Sequence, residues 1–270
     1  LELCGATVIA QSYSAPDGSD STTRATATGF GDSGNDLSPK EGTTLALMAT
    51  GPALGTTHSE WLGQEGGSDP YTGSGDQAFD TVEWTLDLKA PEGANGFGLS
   101  YVFFSEEYDD YVGSAYNDKF YMVLEAGSTN GGAPTVINYS KCRSEDTYTD
   151  FICSPGMQFC EPGERYCYIA INTAASECCW LNGCPGGKAT TDISGTGFEC
   201  AASQSSDSDA SGSSTGWLTT RWPIEPGETF RLTIHLHDTA DGVFDSEVIL
   251  DQMLFYDAVK PGTTNYGFSL

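Results

Sequence analysis

The sequence predicts an all-β protein: an antiparallel β-sandwich of the jelly-roll type that carries a disulfide-rich loop insertion. Three observations lead to this fold class. Several segments alternate apolar and polar residues, turn-forming clusters of Gly, Pro and Asn separate them, and eight of the nine cysteines fall within one stretch of the 270-residue chain. Strands punctuated in this way, without interleaved helical patterns, are typical of antiparallel sandwiches.

Five segments are predicted to be the main strands. Residues 82–88, 97–103 and 230–237 alternate apolar and polar side chains, the period of two that places one face of a strand in a core. Residues 120–124 form a short apolar run. Residues 248–256 form a further strand with less regular alternation.

The cysteine-rich stretch interrupts this β pattern. We expect residues 1–138 and 217–270 to form one sandwich domain together, and residues 139–216 to be a cysteine-rich insertion with a Ser/Gly/Asp-rich linker. Disulfides would stabilise this insertion, because it has too few apolar residues to build a core. The cysteines expected to form the framework are Cys142, Cys153, Cys160, Cys167, Cys178, Cys179, Cys184 and Cys200.

The cysteine pattern also bears on compartment and on metal chemistry. A dense, even group of cysteines indicates an oxidising environment, so we expect a secreted or cell-surface protein. A zinc site is the less favoured interpretation, because the group has no C-x-x-C spacing and contains no His. The sequence does not determine which of these cysteines pair with each other in disulfides. Cys4 lies outside the group and is either free, paired with it, or paired with another chain.

The charge balance excludes some partners. The chain has 38 Asp and Glu against 11 Lys and Arg, a formal net charge of −27. Such a surface repels nucleic acid, whose binding requires clustered basic side chains. No run approaches the ~18 apolar residues of a membrane-spanning helix, so we expect no membrane span. The carboxylates either keep the protein soluble or are partly neutralised by bound divalent cations.

Two acidic loops favour the second interpretation, with calcium as the cofactor. Residues 103–120 lead from an apolar strand through four carboxylates to an Asn-Asp pair, and residues 237–247 offer three aspartates without EF-hand spacing. Calcium takes about 6–8 oxygen ligands from carboxylates and carbonyls. The alternative to calcium binding is that both loops are solvent-exposed and bind no ion. The expected ligands are Glu106, Glu107, Asn117, Asp118, Asp238, Asp241 and Asp245.

These loops also carry a family resemblance. Residues 104–108 (FSEEY), 111–114 (YVGS) and 117–120 (NDKF) resemble the core signature of the bacterial choice-of-anchor L domain family, and residues 241–250 look like its closing motif. The resemblance implies an exported bacterial protein, secreted or held at the cell surface. Both acidic loops coincide with signature segments, which favours calcium there. The family has no generally established reaction, and the cysteine-rich insertion departs from its usual pattern.

We therefore expect a secreted, non-catalytic, calcium-binding module with a structural, adhesive or self-assembling role, forming a homo-oligomer or fibre. A secreted hydrolase is disfavoured, because Glu106 and Glu107 are neighbours on a strand and point to opposite faces. His235 and His237 lie on one strand face, an arrangement that suits a transition-metal pair. A calcium-dependent module for a surface glycan is the other alternative. Its candidate aromatics are Trp61, Tyr71, Trp180, Trp217 and Trp222.

Overall fold

The computed structural model describes residues 3, 5–35, 37–56, 58, 59, 61–63, 67–71, 75–107, 111, 114–141, 166–171, 192–198 and 212–265. These residues form two β-sheets, and the one helix among them is the 3-10 turn Asn130–Gly132. Every pairing between the strands is antiparallel. The predicted all-β, antiparallel class is confirmed. No helix within these ranges is long and apolar enough to cross a membrane.

The first sheet has eight strands and the second has seven. The first sheet runs in the order β1 (Thr7–Ser14), β5 (Gln77–Lys89), β13 (Thr229–Thr239), β7 (Lys119–Glu125), β10 (Tyr166–Ala170) and β9 (Tyr139–Lys141), with β4 (Gly67–Ser68) on β5 and β8 (Thr135–Val136) on β7. The second runs in the order β15 (Gly262–Asn265), β12 (Leu218–Pro223), β6 (Gly96–Ser105), β14 (Ser246–Tyr256), β3 (Leu45–Ala49) and β2 (Arg24–Ala27), with β11 (Ser213–Ser214) on β6.

The main core lies between the two sheets. It joins Leu86 and Ile234 of the first sheet to Leu99 and Val248 of the second, all of them buried. Burying a side chain of this size contributes about 1.5–3 kcal/mol. This shared core makes the molecule a β-sandwich, and all five predicted main strands lie within β5, β6, β7, β13 and β14.

A second apolar cluster covers the outer face of the second sheet. Phe30, Leu37 and Phe198 pack there against Phe104 of β6 and Ile249 of β14. Both faces of β14 are therefore buried, because Val248 and Leu250 point into the main core. This double burial explains the irregular alternation of residues 248–256.

Part of the predicted insertion belongs to the sheets. Strands β9, β10 and β11 lie within residues 139–216 and pair with β10, β7 and β6 respectively. Of the eight cysteines expected to form a framework, Cys167 is buried in β10. The other seven lie outside the described residues, so the disulfide framework stays a prediction.

Candidate functional site

The two acidic loops meet at one end of the sandwich. Residues 106–118 connect β6 to β7, and residues 240–245 connect β13 to β14. Since β7 pairs with β13 and β6 pairs with β14, the four strand ends that bear these loops are neighbours. The topology therefore brings together carboxylates that are far apart in the sequence.

Asp118 joins the two sheets at this end. It is fully buried, and it accepts hydrogen bonds from the Thr239 backbone N–H (2.8 Å, to Oδ1) and from the Ser246 hydroxyl (2.7 Å, to Oδ2). Burial raises the pKa of Asp118 to about 7, although these hydrogen bonds lower it. Residue Asn117 lies beside it, and its backbone carbonyl accepts a hydrogen bond from the Thr239 hydroxyl at 2.9 Å.

Glu107 lies next to Asp118. It is buried, and its Oε2 makes no hydrogen bond among the described residues. Burial, followed by the negative charges of Asp118 and Asp241, raises the pKa of Glu107 to about 11. A carboxyl group held this way keeps its proton at neutral pH unless a cation replaces it.

Asp238, like Glu247, is a carboxyl of this group that is poorly compensated by its surroundings. It is buried at the end of β13, and neither of its oxygens makes a hydrogen bond with a described residue. Its pKa is raised well above the ordinary value by burial, and then by the charges of Asp118 and Asp245. The Thr50 hydroxyl is near enough to lower this pKa in part but does not reach hydrogen-bond geometry. Leaving a buried carboxyl without a partner costs about 1–3 kcal/mol or more.

Asp245 and Glu247 extend the acidic group across the second sheet. Both are fully buried, and the two Glu247 oxygens make no hydrogen bond among the described residues. Burial, and then the charge of Asp245, raises the pKa of Glu247 well above its ordinary value. A β-carbon at Gly51 would overlap the Asp245 carboxylate, so glycine is needed there to leave room for it.

Glu106 points to different surroundings from Glu107. Burial raises the pKa of Glu106 to about 8, while a backbone hydrogen bond from His58 lowers it. Its own N–H donates to the Asp245 carbonyl at 3.3 Å. Asp241 is partly buried, and its Oδ1 accepts the Val243 N–H at 3.2 Å.

The seven expected ligands thus occupy one end of the sandwich, but they do not form a closed metal site. Within the part of the chain that the structure describes, no group of three or more His, Cys, Asp or Glu side chains is arranged to hold a metal ion. The available donors are all carboxylate, amide and carbonyl oxygens, which is the set that calcium prefers. Their role as calcium ligands stays a prediction. Sequence reasoning missed Glu247, whose signal is a carboxylate directly before the apolar run 248–250.

His235 and His237 do lie on one face of β13, but they bond to each other. His235 Nε2 is 2.8 Å from His237 Nδ1, and His235 Nδ1 is 2.8 Å from Glu83 Oε1. Both nitrogens of His235 are therefore engaged, which leaves none for a metal in this arrangement. Burial, and then the charge of His235, holds the pKa of His237 well below its ordinary value.

A buried ion pair lies beside these histidines. Lys119 Nζ is 3.2 Å from Asp69 Oδ2 and 2.7 Å from Asp76 Oδ2, and the Lys119 and Asp69 side chains are both 0% exposed. The Tyr121 hydroxyl donates to Asp69 Oδ2 at 2.8 Å. This network stabilises the outer face of the first sheet.

Residues 212–216 have the G-x-S-x-G spacing of a hydrolase nucleophile turn, but not its geometry. In hydrolases that serine lies on a sharp turn from a strand into a helix. Here Ser214 lies in the short strand β11, opposite Phe104 of β6, and its hydroxyl accepts the Gly216 N–H at 3.2 Å.

Few of the aromatics expected to bind a glycan are exposed. Trp217 and Trp222 are buried, and the Trp222 indole N–H donates to the Thr129 hydroxyl at 2.8 Å. Tyr71 is half-buried against Tyr121. Trp61 is 61% exposed, and Trp180 lies outside the described residues.

Comparison with known proteins assigns most of the chain to one family. The family model described as Choice-of-anchor L domain matches residues 7–256, a range that includes both acidic loops and strands β1 to β14. No curated protein and no solved structure is found to match the chain. The resemblance inferred from the signature segments is thereby confirmed.

Proposed function

Because the chain belongs to the choice-of-anchor L domain family, we propose that it is a calcium-binding β-sandwich module with a structural or adhesive role. The family points to a secreted or cell-surface protein and to a non-catalytic surface module. Calcium binding, adhesion and assembly are the steps that we add. We further propose that disulfides among the eight cysteines stabilise the cysteine-rich part of the chain.

The calcium proposal rests mainly on the burial of the Asp238 carboxyl without a hydrogen-bond partner among the described residues. This carboxyl is buried among Asp118, Asp245 and Glu107, and it has no hydrogen bond from a described residue. Burying such a group is costly unless a cation or a proton neutralises it. A divalent cation would neutralise several of these carboxyls at once.

The residues that would hold calcium are those that face the same end of the core. Glu107, Asp118 and Asp238 would supply buried carboxylates, and Asp241 and Asp245 would close the site from the loop between β13 and β14. Calcium would supply charge neutralisation and would join oxygens from both sheets. Without a cation, burial and the neighbouring carboxyls favour the protonated forms of Glu107, Asp118 and Asp238.

Calorimetric titration with calcium tests this proposal. We expect binding to release protons, because carboxyls with raised pKa must ionise, so the measured heat will differ between buffers of different ionisation enthalpy. Asp238→Asn should remove the binding heat, whereas Asp257→Asn, an exposed carboxylate just after β14, should leave it unchanged. Native protein that gives no calcium-dependent heat would contradict the proposal.

Self-association is a second candidate function, and strand β1 favours it. β1 is an eight-residue edge strand, and Val8 and Ile9 on it are 44% and 56% exposed. Residues 3–16 contain no charged residue, although the chain as a whole carries a net charge of −27. Long, uncharged edge strands pair readily with another chain, and charged residues usually prevent this. A second copy of the chain would therefore meet the least electrostatic repulsion along residues 3–16.

We expect the double substitution Val8→Lys with Ile9→Lys to abolish concentration-dependent association, measured as molar mass by light scattering. Two lysines on an edge strand block its pairing with another edge. Leu54→Lys with Val243→Lys is the matched control, since both residues are exposed and lie outside the strands. Native protein that stays monomeric at every concentration, or association that survives the β1 substitutions, would rule out this role for β1.

A further inference from the structure

An open groove lies where the edges of the two sheets meet. β1 is the edge of the first sheet and β2 is the edge of the second. Between them is a groove of about 360 Å³, lined by β1, β2, β3 and β5. Pockets of about 300–1,000 Å³ are typical of sites for small ligands. None of the described residues that line the groove belongs to the acidic end of the sandwich.

The groove contains an aromatic surface. Trp84 of β5 lines it, is half-buried, and lies opposite Tyr13 of β1 in the strand register. The Trp84 indole N–H donates to Gln11 Oε1 at 3.2 Å, while the Gln11 amide nitrogen makes no hydrogen bond among the described residues. The Tyr13 hydroxyl donates to the Thr23 side chain at 2.9 Å, which fixes the ring. An indole and a primary amide side by side suit a ligand with both apolar and hydroxylated faces.

The charge of the groove differs from that of the chain as a whole. Among the described residues that line it, Arg24 is basic and none is acidic, in a protein with 38 Asp and Glu. The Arg24 guanidinium lies 4.5 Å from the centre of the Tyr13 ring, and its Nε donates to the Asp20 backbone carbonyl at 3.1 Å. The described residues give the outer guanidinium nitrogens no carboxylate partner. Arginine binds carboxylates through two parallel hydrogen bonds, so the groove favours an anion that carries one.

We propose that this groove binds a carbohydrate that carries a carboxylate, such as a uronic acid unit of an acidic polysaccharide. The apolar face of the sugar ring would pack on Trp84, its hydroxyls would bond to Gln11 and Thr26, and its carboxylate would bond to Arg24. The proposal does not depend on calcium at the acidic loops. A polysaccharide of this kind is repelled by most of the surface and attracted at one groove, which makes the contact selective.

Titration of the native protein with a short oligogalacturonate, and with the same oligosaccharide after its carboxyls are reduced to alcohols, tests the proposal. We expect the acidic form to bind at least about tenfold more tightly than the reduced form, because the reduced form loses the charged contact with Arg24. High salt should weaken the binding of the acidic oligosaccharide and leave the binding of the neutral one nearly unchanged.

Two variants locate the binding. Arg24→Gln should remove the preference for the acidic oligosaccharide. Trp84→Phe should weaken the binding of both oligosaccharides, because it reduces the surface on which the sugar ring stacks. Arg231→Gln is the matched control, because Arg231 is an exposed arginine paired with Asp87 at 2.8 Å and does not line the groove. Equal affinity for the two oligosaccharides, absence of binding to either, or an acidic preference that persists in Arg24→Gln would each overturn the proposal.

Discussion

Calcium at about 100 times its dissociation constant is expected to raise the melting temperature of this protein by roughly 5–10 °C near pH 8. Binding at that saturation adds about 2.7 kcal/mol to the free energy of unfolding. For chains of this length each kcal/mol corresponds to about 2–4 °C. The shift arises because the cation neutralises Glu107, Asp118 and Asp238, which burial otherwise keeps protonated or repelling.

The pH dependence of the calcium-free protein has the opposite sign from ordinary acid denaturation. Glu106 and Asp118 have pKa values of about 8 and about 7, against ordinary values of 4.5 and 3.8. A carboxyl whose pKa is raised by folding stabilises the protein below its ordinary pKa, and this contribution is lost as the pH rises through the raised value. These groups therefore make the calcium-free protein lose stability between pH 4 and pH 8, and the calcium shift should grow over the same window.

Melting curves with calcium and with chelator across that pH range check both statements. Asp238→Asn should remove the calcium shift and raise the melting temperature of the calcium-free protein, since it removes a buried carboxyl that has no hydrogen bond from a described residue. Asp257→Asn should change neither. A chelator that leaves the native melting temperature unchanged at pH 8 would refute the calcium site.

The strands that the sequence predicted share one property: each shows, within its own segment, either an alternation of apolar and polar residues or a continuous apolar run. Residues 82–88 and 230–237 alternate because one face of each strand packs into the core. Strands β9, β10 and β11 have two to five residues. Periodicity cannot single out segments that short, and their strand conformation depends on pairing with β10, β7 and β6.

The acidic end of the sandwich could be predicted in part, because its signal also lies in the local sequence. The two loops stand out as runs of carboxylates, and their expected ligands do share one end of the sandwich. Glu247 was missed because local sequence does not reveal that the outer face of β14 is covered by Phe30, Leu37 and Phe198. The groove was missed because Tyr13 and Trp84 meet only through the register of β1 with β5.

The Lys119 network also depends on contacts between distant parts of the chain, which the local sequence does not reveal, and its energetic effect is large. Residue 119 was noticed only as part of the NDKF signature, and its partners Asp69 and Asp76 lie 50 and 43 residues earlier in the chain. The ammonium and the Asp69 carboxylate are both fully buried. The ammonium also pairs with Asp76 at 2.7 Å, whereas the Asp69 carboxylate loses this cation if Lys119 is replaced. Removing one partner of such a pair leaves an uncompensated buried charge.

Lys119→Met is expected to destabilise the protein by about 3–5 kcal/mol, a fall in melting temperature of roughly 6–20 °C. The methionine fills most of the same volume, so the loss reflects Asp69 left buried beside the Tyr121 hydroxyl without its cation. Denaturant unfolding of each variant measures the loss. Lys89→Met is the matched control, because the exposed Lys89–Glu92 pair at 3.1 Å should be worth at most about 1 kcal/mol.

The double variant Lys119→Met with Asp69→Asn separates charge compensation from packing. If the cost comes from an unpaired carboxylate, the double variant will be more stable than Lys119→Met alone, since the neutral amide that replaces the carboxylate needs no cation. If the cost comes from lost packing around the lysine stem, the second change will not recover stability. Equal stability of Lys119→Met and the Lys89→Met control would mean that the buried pair contributes no more than an exposed one.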